Sequence, residues 1–249
     1  MAFFSLNLIN IINIMLKVLE LFSGTHSVGK VAKELGWDVV SLDLELPADH
    51  QIDIMNFDYK QYPQDTFDII WASPPCTYYS NLQNCWLGRK KKDGIILTKE
   101  LLEEQRKDSD KLIRKTLEII NYFNPEYWFM ENPQRGQLKD RDVVKGLPYY
   151  DVSYCMYSDW GYEKRTRIWT NKKNWNNLIC DKSGSCGNMQ TNRESKKHKK
   201  RVSDVHSENT KKHSNCVQNV ASGQRVGIGR LPFDRYRIPP NLIYSLFLD

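Results

Sequence analysis

The chain has 249 residues, 40% of them hydrophobic and 12% aromatic, enough to build a real core for one α/β domain with a small insertion. Six cysteines (76, 85, 155, 180, 186 and 216) are scattered along it, which excludes the dense disulfide framework of a small secreted domain and points to a reducing compartment. The net charge of +6 is local: residues 171–217 hold 11 Lys/Arg against 4 Asp/Glu, so the patch suits either a polyanion partner or a solvated insertion.

Residues 1–16 are apolar but broken by Asn7, Asn10 and Asn13, too short to span a bilayer and without the leading positive charge of a signal peptide. They are expected to be an N-terminal extension, with Met15 an alternative start, in a soluble intracellular protein. Residues 17–22 predict strand one and Ser27 to Leu35 a helix with Val28, Val31, Ala32 and Leu35 on one face, closed by Gly36. Trp37 to Leu42 predicts strand two, ending at Asp43, and residues 51–54 a short strand or turn. Ile69-Ile-Trp-Ala72 predicts a buried strand. Residues 81–96 read as a loop carrying Arg89-Lys-Lys-Lys92. Leu97 to Phe123 predicts a long helix with Leu101, Leu112, Thr116, Leu117 and Ile120 toward the core. Tyr127 to Met130 predicts the next strand, running into Glu131-Asn132-Pro133. Residues 152–157 and 167–170 predict two more. Strands alternating with helices imply a mostly parallel, doubly wound sheet over residues 17–170. Residues 171–225, rich in Lys, Asn, Ser and His, break that pattern as a basic insertion, and residues 226–249 return with a proline-started helix.

Ser73-Pro74-Pro75 stops the buried strand, because proline lacks an N–H and fixes φ. Cys76 therefore falls on a stiff corner past a strand's carboxyl end, the edge where open α/β sheets bind ligands. A thiol there is a candidate nucleophile; buried packing is the alternative.

The loop Phe22-Ser-Gly24-Thr-His26-Ser-Val-Gly29-Lys30 admits three readings. As a dinucleotide fingerprint it has Gly24 and Gly29 but His26 in the middle place, where an imidazole obstructs a pyrophosphate. As a phosphate loop it has Gly24, Gly29 and Lys30, but Val31 replaces the hydroxyl that would ligate Mg²⁺. S-adenosylmethionine needs a close backbone turn and an acid for its ribose, and Asp43 lies 19 residues after Gly24 at the end of strand two. Asp53 would accept from the adenine amine, with Ile54 against the ring; turn chemistry is the alternative for both aspartates.

Pro-Pro-Cys76 with Ser80 four residues on, then Glu131-Asn132-Pro133, then Arg165-Thr166-Arg167, in that order and behind such a loop, resembles the C5-cytosine DNA methyltransferase family in the style of its short viral and phage members. The resemblance covers about residues 17–170, with a weaker match near 236–247. It implies a Rossmann-like class I fold, S-adenosylmethionine as cofactor, double-stranded DNA as partner and a monomeric enzyme. It also implies a thiolate at Cys76 that adds to cytosine C6 and makes C5 nucleophilic. An ordinary thiol is only a few per cent ionised at pH 7, so Cys76 needs a nearby helix amino end or cation. By the same resemblance Glu131 contacts N3 and the exocyclic amine, Arg167 holds O2, and Arg165 reaches a phosphate or the ring. The base must be flipped out of the duplex. The implied cofactor contacts are Phe22, Ser23, Gly24, Thr25, His26, Asp43, Leu44, Asp53, Ile54 and Pro74.

The chain departs from the family at His26 and Ser27, in a loop that is normally glycine-rich, and at Tyr236 to Asn241, the only match to the last family motif. Only residues 171–225 stand where the family carries a sizeable recognition domain, which predicts loose sequence specificity and strong salt dependence. Within them Cys180, Cys186, His198 and Cys216 suit a structural zinc site or are unpaired surface residues; the spacing matches no tight finger. Competing functions are an RNA (tRNA) cytosine-5 methyltransferase, a catalytically inactive DNA-binding relative and a P-loop ATPase.

Overall fold

The computed structural model describes residues 15–91, 93–160, 163–188 and 237–248. The elements run β1 (Lys17–Leu21), α1 (Ser27–Glu34), β2 (Asp38–Asp43), β3 (His50–Gln51), β4 (Ile69–Ala72), α2 (Lys99–Phe123), β5 (Tyr127–Pro133), β6 (Tyr149–Ser153), β7 (Arg165–Thr170) and α3 (Pro240–Leu248). One seven-stranded sheet has the order β3-β2-β1-β4-β5-β7-β6. The first five strands in that order are parallel, and β7 runs antiparallel between β5 and β6. This is the Rossmann-like, doubly wound arrangement expected of a class I methyltransferase. The strand order reverses between β1 and β4, which makes their carboxyl ends the topological switch point where such sheets bind ligands.

The central strands are largely apolar because both faces are covered. On one face Val18, Ile69, Trp71, Phe129 and Ile168 meet α1 and α3 through Val28, Val31, Leu242, Ile243 and Leu246. On the other, Leu19, Leu21, Ile70, Met130 and Trp169 meet α2 through Ile113, Ile119, Ile120 and Phe123. Of the expected core-facing positions of the long helix, Thr116 and Ile120 are buried, Leu112 and Leu117 pack partly buried against the core, and Leu101 is half-buried; Leu102, Ile113, Ile119 and Phe123 complete the buried face. Its start is fixed by Thr98, whose side chain accepts from Leu101 N, and its end by Asn124 in the left-handed region before Pro125.

Three boundaries differ from expectation. Residues 81–86, expected as loop, form a 3-10 helix capped by Ser80. The strand expected over 152–157 is β6 over Tyr149–Ser153, followed by a 3-10 turn at Tyr154–Met156. Residues 171–188, expected to open the insertion, lie along β6: Ser153 N donates to Leu178 O at 3.0 Å, Asn177 Nδ2 to Asp151 O at 2.7 Å, and Trp175 is buried. The proposed extension at 1–14 and the insertion beyond 188 lie outside the described residues.

Candidate active site

The loop after β1 is shaped by two acids. Glu20, buried in β1, accepts from the amino-terminal N–H groups of α1 at Val28 and Gly29, both at 3.1 Å. A side chain at Gly29 would place its Cβ 2.7 Å from the same carboxylate, so this glycine serves the approach of helix to strand. These contacts argue against the phosphate-loop reading, since a phosphate at this helix end would meet a carboxylate already holding its donors. Asp43, closing β2, accepts from Gly24 N through Oδ2 and from Glu45 N and Leu46 N through Oδ1, each at 2.9 Å. Phe22, Gly24 and His26 all take positive φ (56°, 51° and 55°), so the chain turns back on itself here. His26 Nε2 lies 2.8 Å from Pro47 O and Nδ1 lies 3.7 Å from Glu20 Oε2. The Glu20 carboxylate raises the His26 pKa above the ordinary histidine value.

Of the expected cofactor contacts, Ser23, Gly24, Thr25 and His26 share this loop. Ser23 Oγ is buried with no hydrogen-bond partner among the described residues, an orphaned polar atom at the mouth of the switch point. Asp43 has three acceptor sites filled of about four on a carboxylate, leaving room for one more donor. Asp53 Oδ1 accepts from Met55 N at 2.9 Å, the turn role set out as its alternative, and Oδ2 has no partner among the described residues. Ile54 is only 2% exposed and belongs to the core. The apolar surface left open beside these acids is Leu44, 60% exposed, with Ile52 and Met55. Apolar surface, an orphaned hydroxyl and open carboxylate positions fit an uncharged adenosine better than a phosphate chain.

The loop after β4 lies across the switch point. Ser73 N donates to Leu21 O at 3.2 Å, continuing the β1–β4 pairing beyond the strands. Pro74 is buried, Pro75 exposed and Cys76 half-buried. Asn132 Nδ2 donates to Pro74 O at 2.9 Å, tying Glu-Asn-Pro at the end of β5 to the proline corner that carries the thiol. Behind the loop stands a polar network absent from the sequence reading. Tyr79, fully buried, donates from its hydroxyl to Asp110 Oδ1 at 2.9 Å. Arg141 meets the same carboxylate at 2.6 Å through Nη2 and Glu103 Oε1 at 2.6 Å through Nη1. Arg106 Nε donates to Tyr78 O and Gln137 N to Tyr79 O. The only signal for this in the sequence is Asp110, a charge at a core-facing position of a long amphipathic helix.

Glu131 is buried and both its partners use Oε1: Tyr154 Oη at 3.1 Å and Lys164 Nζ at 3.5 Å. Oε2 has no hydrogen-bond partner among the described residues. The register sets Glu131 opposite Ile168, and Asn132 opposite Arg167. Directly opposed residues share a sheet face and successive ones alternate, so the Glu131 and Arg167 side chains leave opposite faces. Arg167 is held by Asp151 at 2.7 and 2.9 Å with its guanidinium 3.6 Å from the Tyr149 ring centroid. Arg165 pairs with Glu163 at 2.7 Å. The fold thus joins the corner of Cys76 to the end of β5 through Asn132, whose side chain shares its sheet face with Arg167, and gives Glu131, on the opposite face, a cation in Lys164.

A second cluster lies at the sheet edge, where Cys155, Cys180 and Cys186 bring their sulfurs within 4.8 Å of one another. Burial pushes the Cys155 and Cys180 thiols up. Cys155 was not among the expected ligands; His198 and Cys216 lie outside the described residues. Among the described residues no helix is long and apolar enough to cross a membrane.

No family model matches the chain. The "Probable DNA (cytosine-5)-methyltransferase" of frog virus 3 (isolate Goorha) is 36% identical over 233 residues, spanning 93% of this chain and 98% of that one. A solved Escherichia coli prophage protein described as a "putative DNA modification methyltransferase" superposes at a TM-score of 0.42 and 16% identity, over 62% of this chain and 46% of that one. The full-length similarity to the frog virus protein agrees with a proline-locked cysteine at the switch point of a doubly wound sheet, and on it the chain belongs to the DNA (cytosine-5)-methyltransferase family.

Proposed function

We propose that the chain methylates C5 of a flipped cytosine in DNA through a covalent adduct on Cys76. The observation that carries this reading is the tie between Asn132 Nδ2 and Pro74 O, which sets the thiol's corner against the strand end bearing Glu131, across from the Gly24 loop. S-adenosylmethionine, when bound, supplies the methyl that C5 takes up. Phe22, Ser23, Gly24, Thr25, His26, Asp43, Leu44, Asp53 and Pro74 are the residues proposed to hold it.

The Cys76 sulfur, as thiolate, forms a bond to C6 and pushes the ring's electrons toward C5. Glu131, acting as the protonated acid, gives its proton to N3 as the electron pair enters the ring and accepts from the exocyclic amine, which leaves the ring neutral and Glu131 a carboxylate. Once C5 carries the methyl, its proton leaves to a base and the sulfur–C6 bond breaks, returning the thiolate. Lys164 is the cation placed to fix the Glu131 carboxyl, with Tyr154 as its second support. Arg167 is proposed to hold cytosine O2, steadied by Asp151, and Arg165 to reach a phosphate or the ring. The basic segment beyond residue 188 is proposed to supply phosphate contacts, which predicts strong salt dependence.

The test is a duplex containing 5-fluorocytosine, whose fluorine blocks the final proton loss. Wild type forms a covalent adduct and Cys76→Ala does not. An adduct that persists in the alanine variant moves the nucleophile elsewhere, and labelled methyl transfer to tRNA but not to duplex DNA overturns the substrate. Glu131→Gln lowers methyl transfer far more than cofactor binding; equal losses make the carboxyl structural.

A further inference from the structure

The corner where the edge strand β6 ends is chemically odd. The segment Asp181-Lys-Ser-Gly-Ser-Cys-Gly-Asn188 contains no large apolar side chain and is largely exposed, yet it is pinned by the buried Asn188 to the turn after β6. Hydrophobic burial does not order such a segment. Three sulfurs converge beneath it. Cys155 comes from the 3-10 turn after β6, and Cys180 and Cys186 from the strand-side segment. Cys155 and Cys180 are each 1% exposed and Cys186 is half-buried.

We propose that Cys155, Cys180 and Cys186 bind one zinc ion. A tetrahedral zinc with bonds of about 2.3 Å holds its sulfurs about 3.8 Å apart, inside the 4.8 Å envelope observed. An all-sulfur donor set selects a thiophilic ion over magnesium or calcium. The surrounding shell is built as thiolate ligands require. Lys182 N donates to Cys180 Sγ at 3.4 Å. Asn188 Nδ2 lies 2.9 Å from the carbonyl oxygens of Cys155, Ser158 and Cys186, stitching two ligand-bearing turns together. Cys180 N donates to Ser153 Oγ at 3.2 Å, fixing that ligand to β6. Lys182, Gly184 and Gly187 take positive φ, the tight turns that bring Cys186 back toward Cys180. On binding, three thiol protons pass to solvent and three zinc–sulfur bonds form; the fourth position is open to water or a further donor. The site anchors the start of the basic segment and, through Tyr154 next to Cys155, the support of Glu131.

The inference stands apart from the methyl-transfer reading, and its test is metal content. Full-length protein, produced with zinc in the medium and purified without chelator, carries about one zinc per chain. Cys155→Ser, Cys180→Ser and Cys186→Ser each lose most of it, while the exposed-site control Cys85→Ser and the Cys76→Ala variant keep it. Because a serine at Cys155 or Cys180 endangers folding, wild type is also treated with chelator: zinc release is accompanied by three newly reactive thiols. Cobalt substituted for zinc gives thiolate charge-transfer absorption. Metal-free wild type that takes up no added zinc, a mass lower by two hydrogens from a cysteine pair, or full zinc in all three serine variants overturns the proposal. Zinc-loaded protein without methyl transfer refutes only the activity.

Discussion

The two loops that flank the switch point solve opposite problems. The loop after β1 has a contorted backbone, with Phe22 and His26 in the left-handed region at a cost of about 1–2 kcal/mol each. It is held by carboxylates that accept its N–H groups: Glu20 from α1 and Asp43 from Gly24. The loop after β4 has no positive φ from Ser73 to Ser80. Its rigidity comes from two prolines and from a buried network behind it, Tyr79 to Asp110 to Arg141. A loop that meets a ligand through its main chain must shape the main chain; one that offers a single side chain needs an ordinary backbone and a stiff support.

Breaking the second support carries the largest expected effect. Arg141→Met leaves Asp110 buried without its cation and costs about 3–5 kcal/mol in denaturant unfolding. Methyl transfer falls more than cofactor binding, because the β1 loop is untouched; equal losses would mean that the two loops are one cooperative unit. Next is Gly29→Ala, which drives a Cβ to 2.7 Å from the Glu20 carboxylate and 3.2 Å from Val39. About 1–3 kcal/mol is expected, and cofactor affinity falls more than adduct formation at Cys76. The penalty shrinks in a Glu20→Ala background, and additivity in that double-mutant cycle would remove Glu20 as the cause. Tyr79→Phe removes one hydrogen bond to Asp110 while Arg141 still holds the carboxylate, so about 1 kcal/mol is expected, read from the same unfolding curves.

The β4 loop was readable because its chemistry is local: an apolar run, two prolines and a cysteine occupy eight consecutive residues. The doubly wound sheet was readable from the alternation of strands and helices. What supports the loops was not, because Tyr79, Asp110 and Arg141 are distant in sequence and only the fold brings them together. The same holds for Lys164 on Glu131 and for Cys155 beside Cys180 and Cys186. Arg165 and Arg167 are a subtler case. Their motif was visible, but their face depends on the register of β7 against β5, and a shift of one residue reverses it. Ile54 is buried in the core, while its neighbours Ile52 and Met55 carry the exposed apolar surface.

The smallest effect tests whether the β1 loop is braced by charge as well as by geometry. His26 is partly exposed beside Glu20, and its pKa is raised chiefly by that carboxylate. A raised value means the folded state binds the proton more tightly than the unfolded chain. The extra stability is therefore full below the ordinary histidine value of 6.5 and is lost as pH climbs through the folded value. Wild type should lose Tm relative to His26→Gln as the pH rises past the ordinary histidine value of 6.5, with the difference shrinking in high salt because the pair is open to solvent. A glutamine can still donate to Pro47 O, so the comparison removes the titrating charge while keeping the neutral contact. Parallel Tm profiles would leave Glu20 acting only through Val28 and Gly29, and the strained turn would then be held by backbone hydrogen bonds alone.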